Sequence, residues 1–506
     1  MTGNQSAFFV VPDGLSAETL AQALDRYTVE SRPQQAERAF ALLDCHDQSL
    51  QQSGRLLIEA AGMLRLYDNR GDSVSQRLKG RGRFPRDFPE GPMKQAMSGF
   101  PKLRALGVVG EGHISRADWL VLDELQKTQV KLHVTALTSP NERVEFVQVE
   151  GLRGYDRAFS AVSSAIAGIK GAQADVAAVF PRLFPGQARY QAKPHIPLGK
   201  TEPASEAATD IIRTYLGVAR RNEAGVIKDI DTEYLHDYRV SLRRIRSVLS
   251  LFKGVYSEAE TAGLKRVFSD LMQPTGRVRD LDVYLLEKES FFNLVPASLH
   301  AGLEEMFDAF QKERARELNR LSRWLRGSEY EKTMRSLAAR FESATDLEPG
   351  PSANLGAYEY ACALIWRRYR KVCKLARSIT PDTPDEVVHD LRIHCKKLRY
   401  LMEFFGPLFD DKGFKTIIKP LKKLQDNLGL FNDCSVQQEA LLEFVSTSSG
   451  RSGQINGQLA MAVGGLIAVL DQRQRHERDR VIANFEHFDS PRIRRLFRTL
   501  FHSAKE

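Results

Sequence analysis

Two segments of this chain spell nearly the same helix 153 residues apart, HDYRVSLRRIR at 236–246 and HDLRIHCKKLR at 389–399. Four positions are identical, and four more keep their chemistry: Val240/Ile393, Arg243/Lys396, Arg244/Lys397 and Ile245/Leu398. A second pair, TGRVRDLDV from Thr275 and LGLFNDCSV from Leu428, recurs at the same offset and matches Gly276 to Gly429, Asp280 to Asp433 and Val283 to Val436. Two matches at one spacing mean that one structural unit is present twice, which confines this part of the chain to a tandem fold. After Ala204 apolar residues recur at helical spacing without strand patterns, and breaks at Pro274-Thr275-Gly276, Pro296, Glu348-Pro349-Gly350-Pro351 and Pro381 to Pro384 separate the helices. The expectation is an all-α domain over 205–506, made of two similar bundles at 205–348 and 349–506.

The part before it reads differently. Lys131 to Thr138 and Val144 to Glu150 alternate polar and apolar residues around the turn Ser139-Pro140-Asn141-Glu142, which predicts a β-hairpin. Phe8–Val11, Ala39–Leu43, Arg55–Leu66 and Ser73–Leu78 are further strand candidates, while Ser16–Leu24 and Tyr155–Ile169 have a helical pattern. A mixed α+β domain over 1–185 is expected. Residues 186–204, rich in proline and without hydrophobic period, read as a linker.

The length of 506 residues exceeds one ordinary core and fits two or three folded units. The longest apolar run, Leu459 to Leu470, is too short to span a bilayer, so a cytoplasmic protein without a membrane partner is expected. Five scattered cysteines with no CxxC pair argue against disulfides and zinc knuckles. A net charge of +9 is a small surplus of 73 basic over 64 acidic residues, so any polyanion site must come from local clustering.

The repeated helix supplies that clustering. At 100° per residue, His236, Arg239, Arg243 and Arg246 fall within about 80° of one another, apart from an apolar stripe of Tyr238, Leu242, Ile245, Leu249 and Phe252. In the second copy His389, Arg392, Lys396 and Arg399 oppose Leu391, Cys395, Leu398 and Met402. Arg244 and Lys397 lie outside the stripes in a flanking position. One such row would be an ordinary solvated face. Like charges at i, i+3 and i+4 weaken a helix, however, and an uncompensated row placed twice at the same positions points to an anion that offsets the repulsion. Phosphate suits it, because arginine offers a planar fork of donors and lysine a mobile point charge. Each stripe has a single histidine and no Cys or Glu at ligand spacing, which disfavours a metal site, and no catalytic partner is identifiable. Donation of a hydrogen bond to phosphate is the role expected for His236 and His389. Asp237 and Asp390 point about 100° away and are expected to cap or brace neighbouring helices.

The H-D-x-R-[VI]-x-x-[RK]-[RK]-x-R helices, each followed by G-x-x-[RN]-D-x-x-V, resemble the CHAD domain, a polyphosphate-binding module of two four-helix bundles. The resemblance covers roughly 205–506. It implies that phosphate is held by His236, Arg239, Arg243, Arg246, His389, Arg392, Lys396 and Arg399, flanked by Arg244 and Lys397, with Arg266 and Lys419 as helper cations. The second copy departs from the pattern by placing Asn432 where the first has Arg279.

Residues 1–170 resemble a CYTH domain, an antiparallel β tunnel whose members hydrolyse triphosphates or make cyclic AMP, through FFVVPDG, RLLIEAAGMLRLYD and VEFVQVEGLRGYD. That chemistry uses tunnel carboxylates to hold metal. The E-x-E-x-K positions of the family fall on Asn4, Ser6 and Phe8, and the later acid pair reads Gln148 and Glu150. A degenerate tunnel without catalysis is therefore expected, with Lys79, Arg81 and Arg104 as remaining cations. The combined expectation is a non-enzymatic polyphosphate binder without cofactor or metal, at polyphosphate granules, with the N-terminal domain open to a protein partner. An inorganic triphosphatase and a nucleic-acid binder are the alternatives. The basic helices have few interleaved aromatics for base stacking, which disfavours nucleic acid.

Overall fold

The computed structural model describes residues 5–33, 35–69, 71–77, 82–140, 142–173, 175–187, 189–447 and 456–502. The chain forms two compact units, Met1–Ala192 and Lys193–Glu506, with the boundary inside the 186–204 stretch.

The first unit is one curled antiparallel sheet of nine strands: β1 (Ser6–Val11), β2 (Thr28–Ser31), β3 (Arg38–Asp44), β4 (Leu56–Ala60), β5 (Met63–Tyr67), β6 (Ser73–Arg77), β7 (Gly107–Leu122), β8 (Thr128–Thr138) and β9 (Arg143–Gly151). Their order is β1-β9-β8-β7-β3-β4-β5-β6, with β2 paired to β7. Short helices α1 (Ala17–Gln22), α2 (Ser49–Gln52), α3 (Pro92–Ala96), α4 (Asp156–Ala167) and α5 (Val179–Leu183) accompany it. The stretch Arg55–Leu66, expected as one strand, is the hairpin β4–β5. Ala61 and Gly62, at φ 49° and 73°, make a two-residue turn whose twist suits paired strands.

Curling brings the ends of the sheet together. β1 is an edge strand, yet the rings of its Phe8 and of Tyr67 in β5 lie 6.4 Å apart. Gly71 (φ +82°) in the β5–β6 turn makes room, since a Cβ there would come within 2.0 Å of the Phe8 ring. Inward-facing Phe8, Phe40, Leu42, Ile58, Tyr67 and Phe146 pack with Val176, Val179, Phe180 and Leu183, which fills one end of this tunnel-like half-barrel with apolar side chains.

The second unit is helical, with α6 (Ala204–Ile227), α7 (Thr232–Leu251), α8 (Glu258–Met272), α9 (Gly276–Leu286), α10 (Lys288–Phe292), α11 (His300–Leu325), α12 (Ser328–Arg340), α13 (Ala357–Ala376), α14 (Asp385–Phe405), α15 (Asp411–Thr447), α16 (Gly457–Phe488) and α17 (Pro491–Phe501). The repeat offset maps α6 onto α13, α7 onto α14, and α11 onto α16. It maps α8 and α9 together onto the single helix α15. Gln273-Pro274-Thr275 is a 3₁₀ turn in the first copy, whereas α15 continues through the matching positions and absorbs Pro420 in its interior.

The two halves do not pack as separate bundles. One core joins α6, α7, α8 and α12 to α13, α14 and α17, and another joins α9 and the start of α11 to α15 and α16. Phe252 stacks on Phe405, its own repeat equivalent, at 4.6 Å and 11°. Tyr284 Oη donates to the carbonyl of Gln437, again 153 residues away, at 3.5 Å. Self-equivalent residues meet only near a local two-fold axis, so the halves are related by approximate two-fold symmetry. Among the described residues no helix is long and apolar enough to cross a membrane.

Candidate anion-binding site

α7 and α14 meet across that axis. Tyr238, Leu242, Ile245 and Leu249 are buried on one, and Leu391, Cys395, Leu398 and Met402 on the other, so the apolar stripes face the shared core as their spacing predicts. The cationic stripes are thereby left toward solvent. His236, Arg239, Arg243, Arg246, Arg392, Lys396 and Arg399 are all half-buried, and His389 is exposed.

The second repeated segment braces the first. Arg239 Nη1 donates to Thr275 Oγ1 at 2.5 Å and lies beside Asp280. In the other copy Arg392 Nη2 lies 3.6 Å from Asp433, the residue matching Asp280. The aspartate of each G-x-x-[RN]-D segment thus orients the first arginine of its own stripe. Asn432 has a different job from Arg279, since its Oδ1 lies 2.6 Å from His389 Nδ1, which orients that ring. Arg279 adds a cation beside Arg239 in the first copy. Among the described residues, Arg239 Nε and Arg279 Nη1 are buried donors without an acceptor, which an anion would satisfy.

The stripes converge at Lys396. Burial, then Arg243, Arg392 and Arg399, push its ammonium down to about 8, with Asp433 opposing. Arg243 comes from α7 and the other two from α14, so cations of both copies crowd one point. Burial likewise holds the Arg239 guanidinium below its usual range.

Burial of Lys396 and, after it, this crowding make the charged ammonium a cost to stability. The folded-state value lies below the usual 10.5, so the unfolded chain binds more protons between about pH 8 and 10.5 and stability rises with pH across that window. Below pH 8 the full penalty is present, at most about 3 kcal/mol. Lys396→Met should therefore raise the thermal midpoint at pH 7, and the gain over wild type should shrink as pH approaches 10.5. Thermal unfolding followed by circular dichroism at several pH values checks this, and a gain independent of pH would contradict it.

Three expected residues lie elsewhere. Arg244, anticipated as a flanking phosphate contact, is 5% exposed. Its Nη2 donates to Glu403 of α14 at 2.5 Å, its Nη1 to Tyr215 Oη at 2.9 Å, and it sits over the Tyr215, Tyr400 and Phe404 rings. It is an internal strut between the halves. Lys397, its repeat equivalent, lies beside Arg368, Lys371 and Lys253, away from the stripe. Lys419 lines a separate groove with Lys415, Lys422, Lys423 and Arg480. Arg266 is exposed on α8, Asp237 is buried and Asp390 is exposed.

In the first unit, Phe8 and Gln148 line a cavity of about 330 Å³ with Arg65, Tyr67, Arg116 and His133. An adjoining cavity of about 180 Å³ is lined by Arg38, Arg65, Arg77 and Arg116. These four arginines were not singled out from the sequence. They stand on β3, β5, β6 and β7, and only the curl of the sheet gathers them. Burial, with Arg65 and Arg38 nearby, lowers the Arg116 guanidinium, an effect that Tyr67 opposes. Arg104, expected in the lumen, is instead buried, 3.9 Å from Asp47. Asn4, Lys79, Arg81 and the turn residue Asn141 lie outside the described residues. Ser6 pairs with Glu150 at the sheet edge, and Glu150 lies 3.7 Å from His133, whose Nδ1 is 2.7 Å from Asp118. Among the described residues no three His, Cys, Asp or Glu side chains gather in a group that could hold a metal ion.

Nothing among the curated proteins matches the chain. The CHAD domain from the plant Ricinus communis is 28% identical over 60% of this chain and 97% of its own, with a TM-score of 0.49. PptA from Streptomyces chartreusis is 15% identical over 56% of this chain and 99% of its own, with a TM-score of 0.44. Residues 210–442, which contain both stripe helices and both bracing segments, match the CHAD domain, and the helical unit of this chain carries a domain of that family.

Proposed function

We propose that the helical unit binds inorganic polyphosphate without hydrolysing it, along the two stripes where they converge. The observation that carries this reading is the placing of Lys396 among Arg243, Arg392 and Arg399, drawn from both copies at a cost in stability that a bound polyanion would offset. Rows of arginine forks and lysine charges on two helices suit a ligand that repeats its charge at short intervals. The CHAD domain in the helical unit and the paired G-x-x-[RN]-D braces support it. In the N-terminal unit, Phe8 and Gln148 stand where metal-dependent triphosphate chemistry would need a lysine and a carboxylate, which supports a non-catalytic reading of the whole chain. Association with polyphosphate granules follows from the same affinity.

The test is a truncation. A protein lacking Met1–Ala192 should bind polyphosphate within about threefold of the full chain, as read by titration calorimetry, because the stripes and their braces lie within the second compact unit. A truncated protein that keeps its helical circular dichroism but loses most of its affinity would place the site in the sheet. Full-length protein given tripolyphosphate with magnesium or manganese should release no phosphate above background, and turnover on the order of 1 per second would overturn the non-catalytic reading.

A further inference from the structure

A second basic groove lies between α13 and α17. Its volume is about 1530 Å³, and its lining includes Arg367, Arg370, Lys371 and Lys374 of α13 facing Arg495 and Arg498 of α17, with Glu359 as the one acid among the lining residues. Arg377 and Arg494 also line it, but both are held by Asp489, so they serve the fold. Among the described residues, no carboxylate pairs with Arg367, Arg370, Lys371, Lys374 or Arg495. α17 also lies beyond the segment that matches the CHAD domain.

The internal repeat shows that the fold does not require the α13 charges. The positions matching Arg367, Arg370, Lys371 and Lys374 in α6 are Thr214, Gly217, Val218 and Arg221, whereas α12, which follows α11 as α17 follows α16, carries Lys332 and Arg335 where α17 has Arg495 and Arg498. α6 keeps a single one of the four α13 cations, so the scaffold does not require the row on α13. The groove also opens away from the stripes. Lys371 neighbours His394 and Lys397, and these two stand about 150° around α14 from the centre of its stripe. No stripe residue lines the groove.

We propose that the groove between α13 and α17 is a second polyphosphate site, so that one copy of this chain holds two polyphosphate chains on opposite sides of α14. This rests on polyphosphate being the ligand of the stripes. The row from Arg367 to Lys374 extends about 10 Å and presents cations at i, i+3, i+4 and i+7, which suits closely spaced phosphates. A nucleic acid is disfavoured because the groove has no open stacking platform among the described residues. His502 stands edge-on to Trp366 at 4.9 Å, and Tyr369 is already stacked on Phe497 at 3.8 Å. A membrane surface is disfavoured too, since the apolar face of α17 (Ile493, Phe497, Phe501) is buried in the helical core.

The test counts bound chains on the full-length protein by titration calorimetry with a linear polyphosphate long enough to span both stripes. Wild type should take two equivalents. A variant with Arg367→Gln, Arg370→Gln, Lys371→Gln and Lys374→Gln should take one, as should a variant with Arg243→Gln and Arg246→Gln, each keeping the affinity of its remaining site. If the quadruple change disturbs folding by circular dichroism, Arg370→Gln with Arg495→Gln removes one cation from each wall and should weaken the second equivalent at least tenfold. One equivalent in wild type that the groove variants leave intact would overturn the second site while the stripe reading stands. One equivalent that the groove variants abolish and the stripe variant spares would overturn the stripe reading and the two-site proposal together. An RNA oligomer that displaces the groove-bound chain at equal phosphate concentration would overturn the choice of polyphosphate.

Discussion

Reversing two charges, Arg243→Glu with Arg246→Glu, is expected to weaken binding of long polyphosphate on the order of a hundredfold or more, with the fold intact. Each hydrogen bond to a charged phosphate contributes about 1.5–3 kcal/mol, and both arginines present half-buried guanidinium groups on the α7 stripe. The fold should tolerate the change because residue 243 neighbours Lys396, where a carboxylate would relieve repulsion. Arg239 is excluded from the variant, since its contact with Thr275 ties α7 to the turn before α9. Chain length gives the sharper reading. A long polyanion can engage both stripes, and the first contact raises the effective concentration for the second. The variant should therefore lose far more affinity for long chains than for a short oligophosphate that fits the α14 stripe alone. Counterion release makes affinity fall with salt, by roughly 0.7 to 0.9 in the log–log slope per phosphate contact in nucleic acids, so losing two contacts should flatten the slope by about 1.5. An unchanged slope would exclude α7 from the binding surface.

The largest effect on stability is expected at Arg244. Arg244→Ala would leave Glu403, among the described residues, with its i,i+4 neighbour Arg399 alone, at 3.3 Å, and would open a void among Tyr215, Tyr400 and Phe404. Removing one member of a buried ion pair costs about 3–5 kcal/mol. Chemical denaturation should show a loss near that range. A loss below about 1 kcal/mol would mean that the strut between the halves is not a structural element. The same variant should bind short oligophosphate as wild type does while it remains folded, which separates the strut from the stripe.

The contrast between Arg244 and Lys397 shows where sequence reasoning stops. They occupy the same position of the repeat and the same angle on their helices, yet one is buried across the local two-fold axis and the other lies in a second basic cluster. A helical wheel tells which residues share a face, and so the stripes and the apolar rows were legible. It does not tell which neighbouring helix covers the flank. The strands of the β8–β9 hairpin were equally legible, because strict alternation survives in a half-buried strand. The sixteen-residue β7 was not, because glycines at 107, 110 and 112 and a run of polar residues blur its period. The arginines of the sheet lumen come from four strands spread over residues 38 to 116, and no local pattern joins them. The α13–α17 groove stayed hidden for the same reason, since its walls lie more than a hundred residues apart in the chain.

A crystal structure of the full chain soaked with polyphosphate measures the central claim directly. Phosphate density should lie within hydrogen-bonding distance, about 3 Å, of both the Arg243 guanidinium and the Lys396 ammonium, and should continue along both stripes. Density confined to the lumen among Arg38, Arg65, Arg77 and Arg116, with none at the converging stripes, would contradict it.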